Sequence, residues 1–218
     1  MKNTLVVMTT NRTPVPEFEQ MIAALRAAGA AYLPCPGWTD VARGRSVALS
    51  SACDVLRQHV GRADVVLMMD DDMAMEPAGA QMLVSAARLS GEPCSAVYAT
   101  AEIREGQHGQ LAGTRLEGQP GRWLMGLGCL AIPAGVLLEL ERTSEPFALE
   151  QPGAAPIQYR EFTWSRADGG RWVSEDYRLC LRLGGVRLLP IPCGHKKAIM
   201  LWPDDATLAE VRRQNGNS

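Results

Sequence analysis

Three short runs in this chain concentrate side chains that do chemistry at neutral pH. The apolar stretch Val65-Val66-Leu67-Met68-Met69 ends in three consecutive carboxylates, Asp70, Asp71 and Asp72. Carboxylates so close together repel one another unless a cation lies among them, and oxygen-rich clusters suit Mg²⁺ or Mn²⁺. In α/β sheets ligands bind beyond the carboxyl ends of the strands, so the run marks a site for a metal and a diphosphate. The plainer alternative is a solvated acidic turn that caps a helix beginning near Pro77.

The second run is Ser174-Glu175-Asp176-Tyr177, at the opening of a helical pattern. Two acids in a first turn also satisfy the helix dipole, and Ser174 makes a good N-cap, so this pair has a structural reading of its own. The third run is Gly194-His195-Lys196-Lys197, which holds all the lysine of the chain apart from Lys2. A neutral imidazole can ligate a metal while lysine ammonium groups neutralise phosphate. A further feature, Gly126-Leu127-Gly128, interrupts an apolar strand, as glycine does at a bulge or where a ligand comes close. It is not the GxGxxG that opens a dinucleotide-binding helix. Walker A, GxSxG and HExxH sequences are likewise missing from the chain, which removes the usual support for a P-loop ATPase, a serine hydrolase or a zincin.

These residues need a scaffold that gathers strand ends at one edge. Apolar strand-like runs alternate with helix-like segments, as in an α/β sheet. Leu5–Met8 reads as a buried strand that breaks at Thr9-Thr10-Asn11-Arg12, and Glu17–Ala28 as a helix with Phe18, Met21, Ile22 and Leu25 on one face. A strand over Ala31–Pro34, a helix over Ser46–Val60 and a strand over Asp64–Met69 follow; the last is apolar throughout and is expected to be buried on both faces. Pro77–Arg88 reads as a helix, Cys94–Leu116 as a meander turning at Gly106 and Gly109, and Trp123–Pro133 as one strand running through both glycines. Next come a short helix over Ala134–Glu141 and an irregular segment over Ser144–Gly170, rich in Pro, Gly and aromatic residues. A helix over Glu175–Leu183, a strand over Val186–Ile191 and a terminal helix over Ala206–Arg213 with a frayed polar tail complete the pattern.

Composition narrows the function classes. With 218 residues, 46% of them hydrophobic, the chain has material for one ordinary core, and a net charge of -2 removes the simplest argument for a protein that coats duplex DNA. No run approaches the ~18 apolar residues of a membrane span, so a soluble, unprocessed, cytoplasmic protein is expected. Cysteines 35, 53, 94, 129, 180 and 193 form no CxxC pair and are expected to be reduced, mostly core residues.

Taken in order, these segments resemble the GT-A fold nucleotide-sugar glycosyltransferases, especially small family-2-like enzymes, from about Leu5 to about Lys197. The resemblance implies a mostly parallel mixed α/β sheet flanked by helices in a single domain 1–218. Its donor-binding part would span about 1–120, its acceptor and catalytic part about 121–200, and a tail 201–218. It implies a nucleotide loop at Thr9, Asn11 and Arg12, and an Arg-containing helix start at Ala42-Arg43-Gly44-Arg45-Ser46, where Ser46 departs from the asparagine common in relatives. Asp70-Asp71-Asp72 matches the DXD motif, with Asp70 and Asp71 on the nucleotide sugar and Asp72 on a divalent cation. Gly126 and Gly128 would lie against the donor sugar or the acceptor, His195 would complete the metal shell, and Arg45 and Lys197 would meet phosphates.

The implied reaction moves a sugar from a nucleotide-diphosphate sugar, foremost a UDP-sugar, to an acceptor hydroxyl. Mn²⁺ or Mg²⁺ would stabilise the leaving diphosphate, and a carboxylate must take the hydroxyl proton. Asp176 is the expected base, with Glu175 orienting hydroxyls, which predicts an inverting outcome; a retaining one uses the same scaffold. Tyr159, Phe162, Trp164, Trp172 and Tyr177 lie where an acceptor loop is expected, and equally where they would simply pack over the sheet. The acceptor stays open among a glycan, a protein, a metabolite and a modified DNA base, and a homo-oligomer is left open. Competing readings are a nucleotidyltransferase or sugar-phosphate enzyme using the same acidic metal site, and a non-catalytic sugar-nucleotide-binding module. A haloacid-dehalogenase-like phosphatase fits less well, since its DxD is normally on the first strand.

Overall fold

The apolar runs of the sequence become the strands of one mixed sheet. A computed structural model of the chain describes residues 1–9, 14–35, 40–58, 63–99, 111–151, 154–163, 166–168, 171–196, 200–201, 203 and 205–216. The first half runs β1 (Thr4–Thr9), α1 (Pro16–Ala27), β2 (Ala31–Cys35), α2 (Val41–Gln58), β3 (Val65–Asp70), β4 (Met73–Ala74), α3 (Pro77–Ser90) and β5 (Cys94–Val97). Beyond it come β6 (Gly113–Arg115), β7 (Trp123–Met125), β8 (Cys129–Pro133), α4 (Ala134–Arg142), β9 (Pro146–Gln151) and β10 (Ala154–Arg160). The chain continues through β11 (Arg166–Asp168), β12 (Arg171–Val173), α5 (Glu175–Arg182), β13 (Arg187–Pro192), β14 (Gly194–Lys196), β15 (Met200–Leu201) and α6 (Asp205–Gly216).

The main sheet has the order β13-β5-β8-β3-β1-β2, and every strand points the same way except β8, which is antiparallel to both neighbours. The expected mostly parallel α/β sheet flanked by helices is therefore what forms. β3 is buried on both faces, with Val65 to Met69 all at 0% exposure, as its unbroken apolar run requires. From β1 the chain steps to β2 on one side and then returns to place β3 on the other. That reversal opens a crevice at the carboxyl ends of β1 and β3, the switch point where such sheets bind ligands, and the register sets Thr9 beside Asp70 there.

The helices obey their local signals. α1 begins with Pro16, carries Glu17 and Glu19 in its first turn and Arg26 in its last, and buries Phe18, Met21, Ile22 and Leu25. α3 ends at Gly91 in the left-handed region with φ 69°. α2 starts at Val41 rather than at the expected Ser46, because the Asp40 carboxylate accepts from the Arg43 amide and the helix runs through Gly44.

Three other expectations change. The stretch Trp123–Pro133 is two strands, not one: β7 pairs with β6, β8 enters the main sheet, and the Gly126–Gly128 segment bends between them. The region 144–170 contains the hairpin β9–β10 and one strand of the β11–β12 ladder rather than irregular chain. The C-terminal helix is docked on β13, burying Leu208 and Val211, with the Asn215 amide donating to the Leu188 carbonyl at 2.9 Å. The six cysteines are free, and all but Cys35 are buried. Among the described residues, no helix is long and apolar enough to cross a membrane.

Candidate active site

At the switch point a cleft of about 460 Å³ opens between the strand ends, the start of α2 and the start of α5. Its described lining includes Asp70, Asp71, Asp72 and Asp176 against the cation Arg45. This excess of carboxylate in a partly enclosed space favours a bound cation.

Arg45 joins the two halves of the cleft. Its side chain is only 6% exposed; Nη2 donates to Asp70 Oδ2 at 2.7 Å and Nη1 donates to Asp176 Oδ1, with Glu175 Oε1 4.0 Å away. Thr9 Oγ1 donates to the other Asp70 oxygen, so both oxygens of that carboxylate are held. Burial alone would lower the Arg45 pKa, but the Asp70 and Asp176 carboxylates outweigh it and raise the pKa, leaving the guanidinium charged. The expectation that Arg45 meets a phosphate is not what this geometry offers, since its terminal nitrogens are turned to two carboxylates.

Asp176 lies in the first turn of α5, behind the N-cap Ser174, whose hydroxyl accepts from the Tyr177 amide at 3.4 Å. Its side chain keeps 29% exposure toward the cleft. Burial pushes its carboxyl pKa up, Arg45 pulls it back, Glu175 and Asp70 push it up again, and the Leu127 amide steadies the ionised form. A carboxylate that ionises less readily than usual, facing a cleft, has the character of a proton acceptor.

The other wall carries Asp72 and His195. β14 pairs with β4 so that His195 stands opposite Met73, and this small sheet brings His195 Nε2 to 3.4 Å from Asp72 Oδ2. His195 Nδ1 lies 3.0 Å from the Ala99 carbonyl, an acceptor only, so Nδ1 carries a proton and Nε2 is the nitrogen turned toward Asp72. The Tyr98 ring meets the imidazole edge to face at 5.8 Å. This is the usual arrangement behind a metal-ligating histidine, whose second nitrogen is oriented by a backbone carbonyl. The pair also fits a divalent ion in spacing, because two ligands about 2.1 Å from one ion and near a right angle stand ~3 Å apart. Among the described residues no group of three or more His, Cys, Asp or Glu side chains is placed to hold a metal. With one carboxylate and one imidazole as protein ligands, the remaining positions of a divalent ion would fall to substrate phosphates and water.

Gly126 and Gly128 line the cleft, and their lack of a Cβ has a reason within the protein itself. A Cβ at Gly126 would overlap the Tyr98 hydroxyl, and one at Gly128 would fall 2.9 Å from Met73 Sδ. Gly128 donates its amide to Tyr98 Oη at 3.1 Å and accepts from the Asp70 amide at 3.0 Å, so the glycine segment props up the carboxylate edge. Tyr98 is a cleft residue that motif reading missed. It follows directly after the strand Cys94–Val97, so the rule that ligands gather at strand ends would have found it.

The remaining expected residues have different fates. Asp71 lines the cleft but is 4% exposed, its amide donating to the Thr9 carbonyl at 3.2 Å. Glu175 comes no nearer to Arg45 than 4.0 Å. Asn11, Arg12 and Lys197 lie outside the described residues, as does Trp164. Ser46 is fully buried and does not line the cleft: its hydroxyl accepts from the Phe162 amide at 3.1 Å and lies 3.1 Å from Thr163 Oγ1, tying α2 to the end of the β9–β10 hairpin. Of the aromatic residues, Phe162 is core, Tyr159 packs on Phe147, and Tyr177 lines the cleft.

No protein-family model and no curated protein matches this sequence. Among solved structures, the chain is similar to A197 from STIV at 15% identity with a TM-score of 0.56, over 94% of this chain and 95% of that one. A likeness at this identity concerns the fold.

Proposed function

We propose that this chain is a metal-dependent glycosyltransferase that moves a sugar from a nucleotide-diphosphate sugar, foremost a UDP-sugar, to an acceptor hydroxyl. The observation that carries the reading is the meeting of Asp72 Oδ2 and His195 Nε2 at 3.4 Å, with Nδ1 tied to a backbone carbonyl, in the cleft that also holds Asp176. The order of motifs along the chain, which resembles the GT-A enzymes, supports it independently.

Asp72 and His195 would hold Mn²⁺ or Mg²⁺, which when bound supplies Lewis-acid stabilisation of the leaving diphosphate. Thr9 and Asp70 form the adjoining wall and offer polar contacts to the nucleoside. Asp176 faces the same space across Arg45 and takes the proton of the acceptor hydroxyl as that oxygen attacks the anomeric carbon. Placing the base and the diphosphate on opposite sides of the sugar inverts the anomeric configuration.

The test is incubation with a panel of nucleotide sugars and Mn²⁺, with release of nucleoside diphosphate as the readout. Release that stops on chelation is the expected result. No hydrolysis or transfer with any donor, together with no metal-dependent nucleotide binding, refutes the reading. Release of sugar 1-phosphate instead would identify nucleotidyl transfer.

A further inference from the structure

Arg45 occupies an unusual position for a residue of a diphosphate-binding cleft. It is 6% exposed, its two terminal nitrogens are engaged by carboxylates 25 and 131 positions away in sequence, and its Nε is buried with no hydrogen-bond partner among the described residues. One carboxylate, Asp70, ends β3 and is gripped from its other side by Thr9; the other, Asp176, opens α5 and also takes the Leu127 amide. The guanidinium is thus a rigid spacer between the wall assigned to the donor and the proposed base.

We propose that Arg45 is a positioning residue: it fixes the Asp176 carboxylate at a set place relative to Asp70, so that a bound donor and the base share one frame. This rests on the glycosyl-transfer reading, in which Asp176 takes the acceptor proton. A planar fork holds two carboxylates at a defined separation, whereas an ammonium is a point charge that satisfies one well and leaves the other to wander. Asp70 keeps its bond from Thr9 when the fork is lost, while Asp176 keeps, among the described residues, a backbone amide and the freedom of a helix-terminal side chain. Loss of the fork therefore falls on the base more than on the donor wall.

The experiment compares wild type with Arg45→Lys and Arg45→Ala in steady-state transfer or donor hydrolysis, alongside calorimetric binding of UDP with Mn²⁺. For Arg45→Lys the expected result is kcat lowered about 10²-fold, as a misplacement of ~1 Å can cause, with donor KM and UDP affinity within about threefold of wild type. Guanidinium ion added to Arg45→Ala is expected to restore part of kcat, and methylammonium to restore none. Should Arg45→Ala fail to fold, Arg45→Lys, which retains the charge, decides alone through the split between kcat and KM. A variant with kcat retained and UDP affinity lost more than about tenfold would show Arg45 to be a phosphate contact and overturn the proposal. So would a lysine variant indistinguishable from wild type. A wild-type protein that neither turns over any nucleotide sugar nor binds UDP with Mn²⁺ would overturn the glycosyl-transfer reading itself, and Arg45 positioning with it.

Discussion

Replacing Asp176 by Asn separates base chemistry from binding more cleanly than any other substitution in the cleft. Asn keeps the shape of the carboxylate and an oxygen that can still accept from Arg45 and from the Leu127 amide, but it cannot take a proton. Removing a general base costs ~10²–10⁴-fold in rate, or ~3–5 kcal/mol in activation free energy. Stability should move far less. The charge-assisted bond from Arg45 weakens, while the repulsion of Asp176 by Glu175 and Asp70 and the cost of burying its charge both vanish. These effects oppose one another at a side chain still 29% exposed, so a shift of no more than ~1 kcal/mol, or ~2–4 °C in Tm for a chain this long, is expected.

The assay is nucleoside diphosphate release under saturating donor and Mn²⁺, paired with calorimetric binding of UDP. Transfer should fall by at least about 10²-fold with UDP affinity preserved. The pH dependence offers a second check on the same residue. Because burial raises the carboxyl pKa, the acid limb of kcat/KM in wild type should lie above the range of an ordinary aspartate, with activity lost as pH falls through it. The stability linkage has the opposite sense: protonated Asp176 favours the fold, an effect fully present below the unfolded-state pKa and lost as pH rises through the folded-state value. A variant that transfers within about tenfold of wild type would refute the assignment of Asp176 as base, and one that loses UDP binding together with transfer would move it to the donor wall.

Two other predictions concern the Asp72–His195 pair and the glycine segment of the cleft. His195→Ala and Asp72→Asn should each weaken Mn²⁺-dependent UDP binding about 10–100-fold while leaving metal-free UDP binding unaltered, measured by calorimetry with and without EDTA; equal loss in both conditions would show that the pair does not hold a metal. Gly126→Ala should destabilise the fold by about 1–3 kcal/mol in chemical denaturation, because its new methyl overlaps the Tyr98 hydroxyl. Tyr98→Phe in that background should recover part of the loss, since the nearest remaining ring atom is 3.2 Å from the added carbon, and additive losses would refute the packing argument.

Much of the fold is legible in local pattern. The unbroken apolar run of β3, the one-sided periodicity of α1 and the Pro-to-Gly punctuation of α3 each state an element and its burial without reference to anything distant. Patterns weaken where an element is short or where glycine serves two purposes. β4 and β14 are two and three residues long, too brief to show a period, yet their pairing is what seats His195 beside Asp72. Gly44 lies inside α2 despite the low helix propensity of glycine, and Gly126 and Gly128 bend a strand that hydrophobicity alone runs straight.

The chemical inventory of the cleft was likewise present in the linear chain: three carboxylates at a strand end, two at a helix start and a histidine between a glycine and two lysines. Sequence determined which groups were available and that a strand would deliver some of them to an edge. Only the tertiary structure decided their partners. It turned the Arg45 nitrogens to Asp70 and Asp176, buried Ser46 against the β9–β10 hairpin and slid Tyr98 into the space that Gly126 leaves open. The physical reason is that a local pattern reports burial and period, whereas the partner of a buried charge is set by whichever opposite charge the crossing of distant elements brings within a few ångströms.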